Sequence, residues 1–201
     1  MTPDFASSVE FLRRIRPGGP WMLTAISQDK RSIDARTFLA EPDVDEDIVA
    51  WLQLHRMKNL YYSVNESVES AREKRKLSKS EISVVHFLHV DVDPRVGEDL
   101  EAEQERILAQ IRAYRVPPSE LVFSGGGYNA LWRLDSPVPI ALGASSEEDA
   151  VARALDLERR NWQFELDFAT PDHCRDVSRI LRLPGTINRP SQEKILKGRV
   201  P

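Results

Sequence analysis

The stretch that most constrains this chain is Ile82 to Val92, Ile-Ser-Val-Val-His-Phe-Leu-His-Val-Asp-Val, which is followed by Asp93-Pro94. Its β-branched and aromatic residues read as a buried strand. Residues i and i+2 of a strand point the same way roughly 6.5 Å apart, so Asp91 and Asp93 share one face and Val92 takes the other. Two carboxylates that close repel, and one takes up a proton near neutrality unless a cation sits between them. A divalent metal removes the conflict. Oxygen ligands of this kind suit Mg²⁺ or Mn²⁺, and two such ions roughly 3.5–4 Å apart are common machinery for phosphoryl and nucleotidyl transfer. The same Asp-x-Asp-Pro also reads as a strand end opening a turn, so the assignment depends on the rest of the chain.

The 201 residues, 41% apolar and 30% charged, suit one globular domain or two small lobes sharing a core. A single cysteine, Cys174, rules out an intramolecular disulfide and a cysteine-based zinc cage, and suits a reducing cytoplasm. No signal peptide is visible, and the apolar runs fall well short of the ~20 residues a bilayer requires, so no membrane partner is expected. A net charge of −4 argues against nucleic-acid binding on its own, but the charge is unevenly spread. Arg175, Arg179, Arg182, Arg189, Lys194, Lys197 and Arg199 face only Asp176 and Glu193 in the last segment, and Arg72, Lys74, Arg75, Lys76 and Lys79 form a second basic cluster. Either run also reads as a solvated face.

The element pattern predicts a helix opening at Thr2-Pro3-Asp4, a hairpin from Trp21–Ser27 and Ser32–Ala40, a helix over Glu46–Met57 and a strand over Asn59–Asn65. Glu66 to Ser80 has few apolar anchors and reads as a mobile loop with at most one helical turn. Gly97–Arg115 reads as a helix. Leu121–Phe123 and Ala130–Leu134 flank a glycine-rich turn, and Ser145-x-x-Glu148 is a capping box for a helix running to about Phe164. This order predicts an α+β fold with mainly antiparallel sheet, not a repeating βαβ array.

Two further stretches carry chemistry. Ser124-Gly125-Gly126-Gly127-Tyr128-Asn129 has more glycine than a two-residue hairpin turn needs. Its backbone N–H groups can approach phosphate oxygens closely, with the Ser124 hydroxyl as a further donor. The other is Asp172 to Asn188, with Arg175, Arg179 and Arg182 around an acid, Asp176, and a Pro184-Gly185 turn. If Arg179–Leu183 is extended, Arg179 and Arg182 face opposite ways, so one arginine can hold a triphosphate with its planar fork while another meets nucleic-acid backbone.

Taken together, Asp91-x-Asp93, Ser124-Gly-Gly-Gly-x-x-x-x-Trp132 and Asp172 followed by Arg179-Ile-Leu-Arg-Leu-Pro-Gly-Thr-Ile-Asn188 resemble the archaeo-eukaryotic primase (AEP) superfamily, most closely the primase-polymerase domains of bacterial plasmids and phages. The strand Asn59–Asn65 resembles the one preceding the metal motif in those proteins. The resemblance spans roughly residues 20–200.

It implies a two-lobed core with an RRM-like sheet: about 1–80 as an N-terminal lobe, and about 81–190 as the metal- and nucleotide-binding part. It implies a DNA primase-polymerase using Mg²⁺ or Mn²⁺, nucleoside triphosphates and a DNA template or primer. Asp91, Asp93 and Asp172 would be the catalytic and metal-binding acids, with Asp176 in reserve. Ser124, Gly125, Gly126, Gly127, Asn129, Arg179 and Arg182 would bind nucleotide, and Arg72, Lys74, Arg75, Lys76, Arg189, Lys194 and Lys197 DNA. Many members carry a histidine where this chain has Asn129, and asparagine cannot supply a positive charge. His86 and His89 read as core or supporting residues, not as its replacements. The end of the chain soon after the last motif leads us to expect a domain of a larger replication protein, with a helicase domain elsewhere. A competing reading is a catalytically degenerate primase-fold module that binds single-stranded DNA or nucleotide during replication initiation. A weaker one is an RNA-binding protein in which Tyr61, Tyr62 and Phe87 stack on bases.

Overall fold

Apolar side chains recur in α1 (Phe5–Ile15) and α2 (Val44–Leu54) at helical spacing, and in the strands they alternate or run continuously, so two different surfaces must be buried at once. The computed structural model describes residues 2–69, 71, 75–170, 173–190 and 195. It resolves this demand with two antiparallel four-stranded sheets. The first contains β1 (Trp21–Ile26), β2 (Ile33–Phe38), β3 (Asn59–Ser63) and β8 (Ile180–Arg182) in the order β2-β1-β3-β8. The second contains β4 (Glu66–Ser67), β5 (Ile82–Val92), β6 (Glu120–Phe123) and β7 (Tyr128–Pro139) in the order β4-β5-β7-β6. This is the mixed α/β architecture with antiparallel sheets that the element order predicts.

The period-2 alternation of β5 decides which core each side chain enters. Phe87 joins Leu131 and Val122 in the cluster that packs β1, β3 and the helices α1 and α2. Val90 and Val92 point the other way with Ala130 and Trp132, toward Ile107 and Ile111 of α3 (Leu100–Arg112) and Phe168 of α4 (Glu147–Phe168). The β5–β7 register pairs Asp91 with Asn129, and β6–β7 pairs Val122 with Asn129, so all three stand on the face turned toward the first sheet. β8 pairs with β3, Tyr61 opposite Arg182, which returns the arginine-rich segment to the first sheet.

Several boundaries differ from the sequence reading for local reasons. Asp4 is the cap of α1, accepting from the Ser7 backbone N–H at 3.1 Å, so the helix proper starts after it. Asp99 caps α3 in the same way and moves its start beyond Gly97. The cap of α4 is Ser146, one residue later than expected, because Asp149 reaches back to the Ser145 N–H at 2.9 Å. Within the charged stretch after Asn65, β4 pairs with β5, and Ser78 and Glu81 close a capping box on the 3₁₀ turn Lys79–Glu81. Among the described residues no helix is long and apolar enough to cross a membrane.

Candidate functional site

β4 covers only the start of β5, so the later residues of that strand run along an open edge. Backbone groups at an edge need partners. Side chains supply them: the Asn65 carbonyl oxygen accepts from His86 and Phe87 N–H at 3.0 and 3.1 Å, and Asn161 of α4 accepts from His89 N–H at 2.8 Å. The Thr170 hydroxyl donates to the Asp91 carbonyl at 3.1 Å. Asn161 also donates to the Arg175 carbonyl at 3.0 Å, and Glu158, one turn earlier, accepts from Lys79 Nζ and from Val177 N–H. A stripe of buried polar residues on α4 thus fixes both the acid-bearing strand and the segment that follows the helix. The ring of His89 lies wholly inside, against the Cys174 carbonyl, and burial pushes its pKa down to about 4. His86 pairs with Glu66 at 2.8 Å.

Asp91 and Asp93 emerge from this fixed strand into a cavity of about 560 Å³ between the two sheets. Its other walls are the turn residues Ser124, Gly125 and Gly126, the arginines Arg179 and Arg182, and Asn59, Tyr61, Asp176 and Asn188. Asn129 lines it too, yet is only 1% exposed, and its amide N–H donates to Asp91 Oδ1 at 2.6 Å. Cys174 Sγ stands 3.9 Å from the other Asp91 oxygen and accepts from Arg179.

The glycine turn is built against the acids. A Cβ on Gly127 would sit 2.1 Å from the Val92 carbonyl oxygen, so only glycine lets the hairpin lie on β5 between the two aspartates. Ser124 Oγ accepts from Gly127 N–H at 3.2 Å, and the backbone of Ser124 donates to the Gly127 carbonyl at 3.0 Å. Gly125, with φ +89°, packs against the side chain of Asn188. Asn188 in turn accepts from Arg182 at 2.8 Å, as does Asn59. The guanidinium lies 4.4 Å over the Tyr61 ring, and burial lowers its pKa, against the opposing influence of Tyr61 and Asp91. Asn59 also makes a two-way bridge to the backbone of Arg189, at 2.8 and 2.9 Å.

Arg179 and Arg182 were expected on opposite faces; both line the cavity. Arg179 lies just before β8, in a turn where its N–H bonds the Asp176 carbonyl at 3.1 Å, so strand alternation does not govern it. Asp176 is ion-paired to Arg179 at 3.3 Å. Asp172 lies outside the described residues, as do Arg72, Lys74, Lys194 and Lys197. Of the remaining basic residues, Lys76 and Arg189 border the cavity, whereas Arg75 is paired with Glu81 at 2.7 Å. Tyr62 and Phe87 are each 1% exposed core residues and cannot stack on bases, which removes the RNA-binding reading's platform; Tyr61 alone of the three reaches the cavity. Among the described residues no three His, Cys, Asp or Glu side chains form a metal-holding group. The two carboxylates of Asp91 and Asp93 are nevertheless the hard oxygen donors a divalent cation requires.

Asn59, Asn65, Asn161 and Thr170 were not singled out as site residues from the sequence. Asn161 alone left a usable signal, as an amide inside the apolar stripe formed by Ala150, Ala154, Leu157 and Phe168.

Two antiparallel sheets meeting over a cavity, with an Asp-x-Asp strand laddered to a glycine-turn hairpin, make an AEP-like fold. Over 94% of this chain and 85% of the other, the structure is similar to the AEP domain of the cyanophage S-2L primase-polymerase, with a TM-score of 0.58 at 18% identity. A second solved structure, primase RepB′, aligns at a TM-score of 0.49 and 16% identity, covering 92% of this chain and 51% of that one. No protein-family model and no curated protein matches the sequence.

Proposed function

We propose that the protein is a DNA-dependent nucleotidyltransferase, a primase-polymerase that makes or extends primers on a DNA template from nucleoside triphosphates. The observation that carries this reading is the convergence of Asp91 and Asp93 with the Ser124–Gly126 turn and Arg182 on one cavity. Its volume of about 560 Å³ suits a nucleotide-sized ligand. The fold shared with a primase-polymerase AEP domain supports the same reading.

Asp91 and Asp93 would hold Mg²⁺ or Mn²⁺, with Asp172 as the expected third acid. When bound, such a cation promotes ionisation of an attacking 3′-hydroxyl and neutralises charge on departing pyrophosphate. Arg182 presents a guanidinium whose plane is held by Asn59, Asn188 and the Tyr61 ring, so little orientational freedom is lost when a phosphate docks on its remaining N–H groups. Ser124 and the glycine backbone supply neutral donors, and Arg179 a second positive charge on the same wall. Lys76 and Arg189, which border the cavity, would meet DNA phosphates, and the basic residues Arg72, Lys74, Lys194 and Lys197 would share that role.

Calorimetric titration of a nucleoside triphosphate with and without Mn²⁺ tests the site. The enzyme reading requires binding that strengthens with Mn²⁺ and that Asp91→Ala abolishes. Equal binding in both conditions, together with salt-sensitive binding of single-stranded DNA, would point instead to a degenerate binding module.

A further inference from the structure

Asn129 occupies the place where the sequence resemblance led us to expect a phosphate contact, and its surroundings assign it another task. It sits opposite Asp91 in the β5–β7 ladder, 1% exposed, and its side-chain N–H donates to Asp91 Oδ1 at 2.6 Å. Its own Oδ1 is buried with no hydrogen-bond partner among the described residues. A buried amide ordinarily satisfies both ends, and an orphaned carbonyl costs free energy. Turning the amide over would relieve nothing, because its oxygen would then face the carboxylate. The orientation therefore sacrifices the acceptor to serve Asp91. A side chain this buried, with its donor already engaged, is poorly placed to present that donor to a triphosphate.

We infer that Asn129 is a positioning residue for Asp91: it fixes one carboxylate oxygen by a charge-assisted hydrogen bond and so sets the carboxylate's orientation toward a bound divalent cation. This rests on the reading that Asp91 and Asp93 hold such a cation. Hydrogen bonds that orient metal-binding side chains commonly change metal affinity by about 10–100-fold when removed. Here Asp91 is half-buried and borders the cavity, so water replaces part of the lost bond, and the lower end of that range applies.

The orphaned oxygen provides a signature that a purely structural role lacks. Asn129→Leu is close in volume, removes the donor and also removes the unsatisfied acceptor. It is expected to leave the thermal midpoint unchanged or raised while weakening Mn²⁺ binding about tenfold. A role in packing alone predicts the two readouts moving together. Mn²⁺ is titrated calorimetrically into the parent, Asn129→Leu, Asn129→Ala and Asp91→Ala, each checked by its melting curve; Asn129→Ala serves if leucine does not fit. Support is a loss of about tenfold in a folded Asn129 variant, with a larger loss in Asp91→Ala. Unchanged Mn²⁺ affinity in folded Asn129 variants, alongside loss in Asp91→Ala, overturns the positioning role and leaves the cation site standing. Unchanged affinity in Asp91→Ala overturns both.

Discussion

Replacing Gly127 with alanine tests whether the glycine turn is fitted to the acid-bearing strand. The added Cβ would lie 2.1 Å from the Val92 carbonyl oxygen and 3.0 Å from Asp93 Cα, against an ordinary contact of 3.4–4 Å. Both neighbours are backbone, and β5 is laddered to β7 directly beside this point, through Asp91–Asn129 and Val92–Tyr128. No rotamer change relieves the clash; hairpin and strand must separate by more than an ångström. Overpacking of this kind costs ~1–3 kcal/mol, and rigid partners put the cost at the upper end. At ~2–4 °C per kcal/mol for a chain of this size, the thermal midpoint falls by roughly 6–12 °C. Asp91 and Asp93 flank the displaced carbonyl, so Mn²⁺ affinity falls with it. Gly18, where a Cβ meets nothing within 4 Å, is the control, and Gly18→Ala stays within about 2 °C of the parent. Differential scanning calorimetry reads both; a Gly127→Ala midpoint within that margin would refute the close approach on which the site geometry depends.

Asn161→Leu leaves the buried His89 N–H and the Arg175 carbonyl without the Asn161 partner; at ~1–3 kcal/mol per group, urea unfolding will show stability lowered by about 2–6 kcal/mol, and a loss below about 0.5 kcal/mol would contradict the role of α4 as the brace of β5. His89 has a folded pKa of about 4, below the ordinary 6.5, so the unfolded chain binds a proton between those values that the folded chain refuses. Its contribution to stability is complete above about pH 6.5 and is lost as pH falls toward 4. The parent will therefore lose up to ~3 kcal/mol more than His89→Gln over that window, whereas identical pH slopes would show that the ring is not held neutral by burial. Arg182→Lys keeps the charge but cannot reproduce the fork held by Asn59, Tyr61 and Asn188, and triphosphate affinity measured with Mn²⁺ present is expected to drop about tenfold; no drop would remove Arg182 from the phosphate site.

The sequence was most informative where local pattern suffices. β5 begins and ends where its apolar run does, and its alternation placed Asp91 and Asp93 on one face and Val92 on the other. The three-glycine turn stood out because no ordinary hairpin needs it. What stayed hidden depends on pairing between distant segments. Asn129 meets Asp91 across 38 positions of sequence, and nothing in the turn itself reveals that register. Arg179 escaped the alternation argument because β8 starts one residue later. The amides of Asn65 and Asn161 act on backbone that is exposed only because β4 is two residues long, a fact of sheet topology that no spacing rule conveys.

The central claim, that Asp91 and Asp93 serve nucleotidyl transfer, is tested most directly by extension of a labelled primer annealed to a DNA template, with ribo- and deoxyribonucleoside triphosphates and Mg²⁺ or Mn²⁺. The parent is predicted to lengthen the primer only when the divalent cation is present, and the Asp91→Ala/Asp93→Ala double variant, shown to be folded by its melting curve, is predicted to leave it unextended. Extension by the double variant at the parent's rate, or no extension by the parent with any triphosphate and either cation, would contradict it.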